Sequence, residues 1–227
     1  MPIQNRLRFG TIALIGLEIS LAGAYCLTVW RHGATVAWLD FNGLRSLPSL
    51  MQAVHLFALG AICLLLLVRR RQMPRPCSWY LPLALACLCF FGGLDELIKL
   101  HLTVDQINWK ALYLGLLAAI PIVSWRDLRW LWQTHRPTLL WIAGGMGIFL
   151  LGGFGAEMLQ GAIATAMSTS ADPQAKLLAE HLRIAVEEFA ELLGETLILY
   201  AFLDFTTKVL ASSQRQKPQG YRASYKG

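Results

Sequence analysis

The stretch PSLMQAVHLFALGAICLLLLV, residues 48–68, contains no Asp, Glu, Lys or Arg and one histidine, His55. A helix of this length crosses the hydrocarbon core of a bilayer, which takes about 20 residues at about 1.5 Å of rise each. Runs of similar length recur at 9–30, 79–100, 109–125, 138–160 and 187–208. The sequence therefore predicts an all-α, polytopic membrane helix bundle of about six transmembrane helices. The fourth run is short and contains Pro121, so five or seven spans are the alternatives.

The composition agrees with a membrane protein. Of 227 residues, 56% are hydrophobic and 15% are charged, and the mean hydropathy is +0.48. These values exclude a disordered chain and a soluble multidomain enzyme. The net charge of +6 does not indicate nucleic acid, because the basic residues lie between apolar runs instead of on one water-facing surface.

The basic residues predict the orientation. If the N-terminus is cytoplasmic, the inner segments carry 14 Lys and Arg residues and the outer segments carry six. This asymmetry predicts an N-in/C-in integral membrane protein with both termini cytoplasmic, in a bacterial inner (plasma) membrane. Residues 1–211 then form one six-helix transmembrane domain. Residues 212–227, rich in Ser, Gln, Lys and Gly, form a disordered cytoplasmic tail.

Acidic and histidine residues lie inside the predicted spans or at their outer ends, although a charge in the bilayer centre costs at least about 2.5 kcal/mol. Residues of this kind normally face the protein interior or water, so they mark a candidate site. We predict that a metal or proton site includes Asp95, Glu96, His101, Glu157, Glu188, Glu191 and Glu195. Candidates for additional members are Glu18, His55 and His181.

Helical spacing groups these residues further. Glu188, Glu191 and Glu195 follow an i, i+3, i+7 pattern, which places them on one face of the sixth helix. Asp95 and Lys99 are i, i+4 neighbours, so we expect them to pair and to leave Glu96 available. The Asp172-Pro173 pair predicts a helix start that leads into the sixth span.

Glycine is concentrated in the fifth span. Gly152 and Gly153 are two of six glycines between residues 144 and 155. They predict either close helix packing or a local helix break that exposes carbonyls beside Glu157. The same glycine-rich faces are candidates for binding a membrane-protein partner or a second copy of the chain.

The residue types in the cluster limit its chemistry. Carboxylates with few histidines suit protons or a hard divalent metal ion such as Mg, Ca or Mn. Because clustered carboxylates repel one another, we expect some of them to hold protons at neutral pH. A mixed site of His55, His101 and His181 with two glutamates is the alternative.

Three functional hypotheses follow, and no motif identifies a reaction. The first is a small polytopic membrane protein whose outer-half acidic and histidine cluster binds a cation or protons, in transport or sensing. The second is a membrane-embedded, metal-dependent enzyme that acts on a lipid or an isoprenoid. The third is an accessory subunit of a membrane complex.

Reporter fusions test the predicted orientation. A fusion after Arg75 and one in the C-terminal tail should report the cytoplasm, whereas a fusion at Asp172 should report the outer side. An external C-terminal tail would contradict the assignment of the acidic residues to the outer half of the membrane.

Overall fold

The computed structural model describes residues 3–41, 43–72, 77–100, 108–168 and 172–215. These residues form seven α-helices and a short 3-10 helix, Arg70–Gln72, with no strand among them. The helices are α1 (Ile3–His32), α2 (Leu47–Arg69), α3 (Tyr80–Ile98), α4 (Trp109–Val123), α5 (Trp125–Thr134), α6 (Arg136–Ser168) and α7 (Pro173–Arg215). The predicted all-helical class is therefore confirmed for the described part of the chain.

Several of these helices have the length and composition of membrane spans. Helices α1, α2 and α3 each meet both criteria, and α4 and α5 meet them together as a pair that bends by 70° at Ser124. Each of the six predicted spans corresponds to a helix, namely α1, α2, α3, α4, α6 or α7. Three spans, or four with the bent pair, are thus supported, and the total of six and the orientation stay predictions.

Helix α7 is the central element of the bundle. Helices α1, α2 and α6 all pack against it, and α2 also packs against α3. At one end, Tyr25 of α1 and Leu192 of α7 are fully buried beside Phe41 of the loop after α1. At the other end, Leu66 of α2 packs with Phe205 of α7. The buried apolar contacts therefore hold α7 along much of its length.

Polar side chains set the starts of three helices. Ser46 caps α2, where its hydroxyl accepts from Ser49 N, and Asn108 caps α4, where its side chain accepts from Ala111 N at 3.0 Å. Asp172 Oδ1 accepts from Gln174 N at 2.9 Å, and α7 begins at Pro173. The predicted helix start at Asp172-Pro173 is confirmed.

The C-terminal boundary extends further than the sequence indicates. Helix α7 continues to Arg215, whereas we placed the start of the tail at residue 212. Residues 216–227 of the predicted tail lie outside the described residues.

Glycines allow α6 and α7 to approach closely. A Cβ added to Gly145 of α6 would lie 2.7 Å from the carbonyl oxygen of Gly194 in α7, and one added to Gly194 would lie 2.6 Å from the carbonyl oxygen of Gly145. Helix α6 is continuous through Gly152 and Gly153. Of the two alternatives for this glycine-rich span, close packing is therefore confirmed, and the local helix break is wrong.

The crossing of α6 and α7 is tested by Gly145→Ala. We expect this change to lower the thermal stability of the purified protein by about 1–3 kcal/mol, because the methyl group would overlap backbone atoms of α7. Gly147→Ala is the control, since a Cβ at Gly147 meets no atom within 4 Å. Equal melting temperatures of the two variants would contradict the close crossing.

Candidate functional site

Gln52 of α2 connects two carboxylates of α7. Its Nε2 lies 3.4 Å from Glu188 Oε2 and 3.3 Å from Glu191 Oε2, and the residue is 1% exposed. One amide group therefore donates to two acidic side chains on the same helical face. The i, i+3 spacing of Glu188 and Glu191 makes this possible, because residues three apart lie one above the other on a helix.

Glu96 joins the group from the end of α3. Lys99 Nζ lies 2.7 Å from Glu96 Oε2, and Ser49 Oγ of α2 lies 2.8 Å from the Glu96 carbonyl oxygen and 3.2 Å from Glu96 Oε2. We expected Lys99 to pair with Asp95, and this expectation is wrong. Helix α3 ends at Ile98 and Lys99 has left-handed backbone angles (φ 49°, ψ 50°), which removes its side chain from the i, i+4 position.

Glu195 and His55 form the most buried part of the group. Their side chains are 5% and 4% exposed, and Glu195 Oε2 lies 3.4 Å from His55 Nδ1. The geometry does not make a hydrogen bond, so both atoms are buried without a hydrogen-bond partner among the described residues. Gln52 Oε1 is also buried without a hydrogen-bond partner among the described residues. We call Glu96, Glu188, Glu191 and Glu195 the carboxylate cluster.

Helix α6 contributes space to the cluster. A Cβ at Gly153 would collide with Glu191 Oε1, so only glycine leaves room for this carboxylate in its present position. Glu157 lies on α6 four residues after Gly153, but its side chain is outside the described part of the chain, and so is the whole of His101. The predicted roles of Glu157 and His101 therefore stay predictions.

Three other predicted residues have partners in other places. Asp95 Oδ2 accepts from Tyr113 OH of α4 at 3.1 Å, which connects α3 to α4. His181 Nδ1 lies 2.7 Å from Tyr25 OH, at the contact between α7 and α1. Glu18 is fully buried in α1 and accepts a hydrogen bond from Thr196 Oγ1 of α7.

Arg183 balances charge on α7 before the cluster begins. Its guanidinium donates to Glu180 Oε1 at 2.8 Å and to Glu187 Oε2. The hydrogen bond from Arg183 lowers the pKa of Glu180 below its usual value. Glu180 and Glu187 are thus ion-paired near the start of α7, whereas Glu188, Glu191 and Glu195 follow on the side that faces α2.

A cleft of about 1420 Å³ begins at the carboxylate cluster. Gln52, Lys99 and all four carboxylates of the cluster line one end of the cleft. Its walls are mostly apolar and come from α2, α3, α4, α5, α6 and α7. Its far end is lined by residues near the α5–α6 junction, including Arg129 and His135. A pocket for a small ligand usually has about 300–1,000 Å³, so this cleft has room for a larger ligand.

Sequence reasoning missed Gln52 and Ser49. Both lie on α2, where Ser49, Gln52 and His55 follow one another at intervals of three residues in an otherwise apolar run. That spacing places the three polar side chains along one side of a helix, so the sequence does indicate a polar side of α2. Lys99 was assigned to the wrong partner because its turn conformation is not encoded in a helical pattern.

Over the described ranges, no group of three or more His, Cys, Asp or Glu side chains has an arrangement that could hold a metal ion. The predicted divalent metal ion therefore stays a prediction. The predicted partners, a membrane protein or a second copy, also stay predictions.

The fold and the site define a class: an all-helical protein with membrane-type helices and a buried carboxylate cluster at one end of an apolar cleft. The chain belongs to the family described as Domain of unknown function (DUF8692), whose model matches residues 12–206. No curated protein and no solved structure matches the chain.

The bond between α1 and α7 is tested by Thr196→Val. We expect a loss of about 1–3 kcal/mol in the free energy of unfolding, because Glu18 would lose its described partner inside the bundle. Thr206→Val is the matched control, since Thr206 is also buried on α7 but donates to Phe202 O of its own helix. Thermal unfolding of both variants gives the comparison. A smaller loss at Thr196 than at Thr206 would contradict the role of this bond.

Proposed function

We propose that this chain is a six-span integral membrane protein whose carboxylate cluster binds a cation or protons from the outer side, in transport or sensing. In this arrangement both termini are cytoplasmic, and the protein lies in a bacterial inner membrane. The distribution of Lys and Arg supports the orientation, and the apolar helices support the membrane location.

The charge balance of the cluster carries the proposal. Lys99 supplies a positive charge to Glu96, but Glu188 and Glu191 share one neutral amide donor from Gln52. Glu195 Oε2 is buried and accepts no hydrogen bond from the described residues. Burial of ionised carboxylates without full compensation is costly, so the cluster favours an added positive charge, either as protons or as a cation.

The donor atoms favour a hard cation over a soft one. Carboxylate and amide oxygens are the ligands that Mg, Ca and Mn prefer, and Gln52 Oε1 adds a neutral oxygen beside the acids. His55 lies next to Glu195 and offers a ring nitrogen at the edge of the same group. Protons are the alternative occupant, because a proton shared by two neighbouring carboxylates removes their electrostatic repulsion.

The proposal is tested by Glu191→Gln in lipid nanodiscs. Thermal stability of the parent protein is measured against increasing Mg, Ca or Mn, and we expect saturable protection of about 2.7 kcal/mol at a hundredfold excess over the dissociation constant. In Glu191→Gln the protection should fall by at least about half, because glutamine has no ionised carboxylate to neutralise.

Glu180→Gln is the matched control for this experiment. It makes the same chemical change on the same helix, but Glu180 is paired with Arg183 away from the cluster, so cation protection should remain. If protons are the physiological occupant, the difference between parent and Glu191→Gln appears in a pH titration of stability instead of in a metal titration. Identical responses of the parent and Glu191→Gln in both titrations would overturn the proposal.

The apolar cleft favours a second candidate, a metal-dependent enzyme that acts on a lipid or an isoprenoid. The cleft is large and opens directly beside four carboxylates, which is where a general base would be needed. Both candidates predict a metal that is lost from Glu191→Gln, so an activity assay distinguishes them. Metal-dependent conversion of a lipid or an isoprenoid by the parent, lost in Glu191→Gln and Glu195→Gln, would favour the enzyme.

A further inference from the structure

The carboxylate cluster and the apolar cleft form one continuous site. Glu188 and Phe202 of α7 both line the cleft, and they are 14 positions apart on the helix, which is about 21 Å of rise. Between them the wall is apolar, with Leu59 of α2, Leu88 of α3 and Met146 of α6 among its members. The cleft therefore combines a polar end with an apolar channel of more than half the thickness of a bilayer core, about 30 Å.

The unpartnered atoms at the polar end define the headgroup chemistry. Glu195 is 4% exposed and Gln52 is 1% exposed, and both line the cleft. Glu195 Oε2 and Gln52 Oε1 are acceptors, and neither accepts a hydrogen bond in the described part of the chain, although His55 Nδ1 lies 3.4 Å from Glu195 Oε2. A ligand that satisfies them has to donate hydrogen bonds.

The charge at the polar end limits the ligand further. The lining there includes the four carboxylates of the cluster, two further acidic residues (Asp95 and Glu187) and one lysine, Lys99, which contacts Glu96. A phosphate or carboxylate headgroup would add negative charge to this end, whereas an ammonium group would compensate it. A primary ammonium has three N–H donors, whereas a quaternary ammonium has none.

The apolar channel limits the remainder of the ligand to a hydrocarbon chain. Transfer of a hydrocarbon chain from the bilayer into the cleft gains little free energy, because lipid tails are as apolar as the leucine-rich wall. The hydrocarbon chain of the ligand therefore sets the depth at which the headgroup lies. The contacts of the headgroup decide which amphiphile binds.

We propose that the cleft binds a long-chain primary amine, with the ammonium group at the carboxylate cluster and the hydrocarbon chain along the apolar wall between α3 and α7. This inference rests on the proposed function, because the ammonium group is the cation that the cluster binds.

Hexadecylamine tests the inference in nanodiscs of uncharged lipid. Thermal stability is measured with hexadecylamine, with its N,N,N-trimethyl analogue and with palmitate at equal mole fraction. We expect a saturable rise in the melting temperature with hexadecylamine, and little or no rise with the other two amphiphiles. Glu195→Gln should weaken the apparent affinity for hexadecylamine about tenfold, because one charge-assisted hydrogen bond is lost.

A cleft-filling variant separates this inference from the proposed function. Ala143→Trp places a large side chain at a position that lines the cleft but is not part of the cluster. It should abolish protection by hexadecylamine and leave protection by Mg, Ca, Mn or protons as in the parent. Ala13→Trp, at an exposed position of α1 outside the cleft lining, is the matched control and should respond to hexadecylamine as the parent does.

Two outcomes would overturn the inference. Equal protection by hexadecylamine in the parent and in Ala143→Trp would mean that the amine acts through the bilayer and not in the cleft. Equal protection by the amine and its trimethyl analogue would mean that the unpartnered acceptors do not select the headgroup. In either case, cation or proton protection that is lost in Glu191→Gln would leave the proposed function standing.

Discussion

The energetic cost of carboxylates in an apolar environment constrains the position of α7. Glu188, Glu191 and Glu195 occupy one face of this helix, and they cannot face lipid without a large penalty. Helix α2 meets that face with Gln52 and His55, while α1 and α6 pack against other parts of α7. The central place of α7 in the bundle meets this requirement, because the surrounding helices cover its acidic face.

The sequence predicts most of the features that belong to a single helix: its position, its start and the residues that share a face. Length and apolarity place the helices that match the six predicted runs, of which three or four have the length and composition of membrane spans. The Asp172-Pro173 pair places the start of α7 at the observed residue. The spacing of Glu188 and Glu191 predicts that they share a face, and the structure gives them a shared donor. These features are local, since helical periodicity and capping act within a few residues along the chain.

The sequence does not predict which side chains of different helices meet. Lys99 pairs with Glu96 because α3 ends in a left-handed residue, and a helical spacing rule assumes that the helix continues. Glu18 and His181 were grouped with the cluster by residue type and depth. Their bonds are instead made to Thr196 and Tyr25, at contacts between α1 and α7. Such pairings depend on helix rotation and crossing geometry, which a single sequence does not specify.

The two sides of the cleft differ in how firmly they are held. On one side, α6 and α7 cross at Gly145 and Gly194, and this close backbone contact fixes the position of the carboxylates on α7. On the other side, α4 is held to α3 by the Tyr113–Asp95 hydrogen bond and by aromatic contacts of Phe91. A change in the position of α4 would therefore alter the width of the cleft while Glu188, Glu191 and Gln52 keep their contacts. The carboxylates on α7 are therefore fixed by a close helix crossing, whereas the α4 wall of the cleft is attached through side-chain contacts.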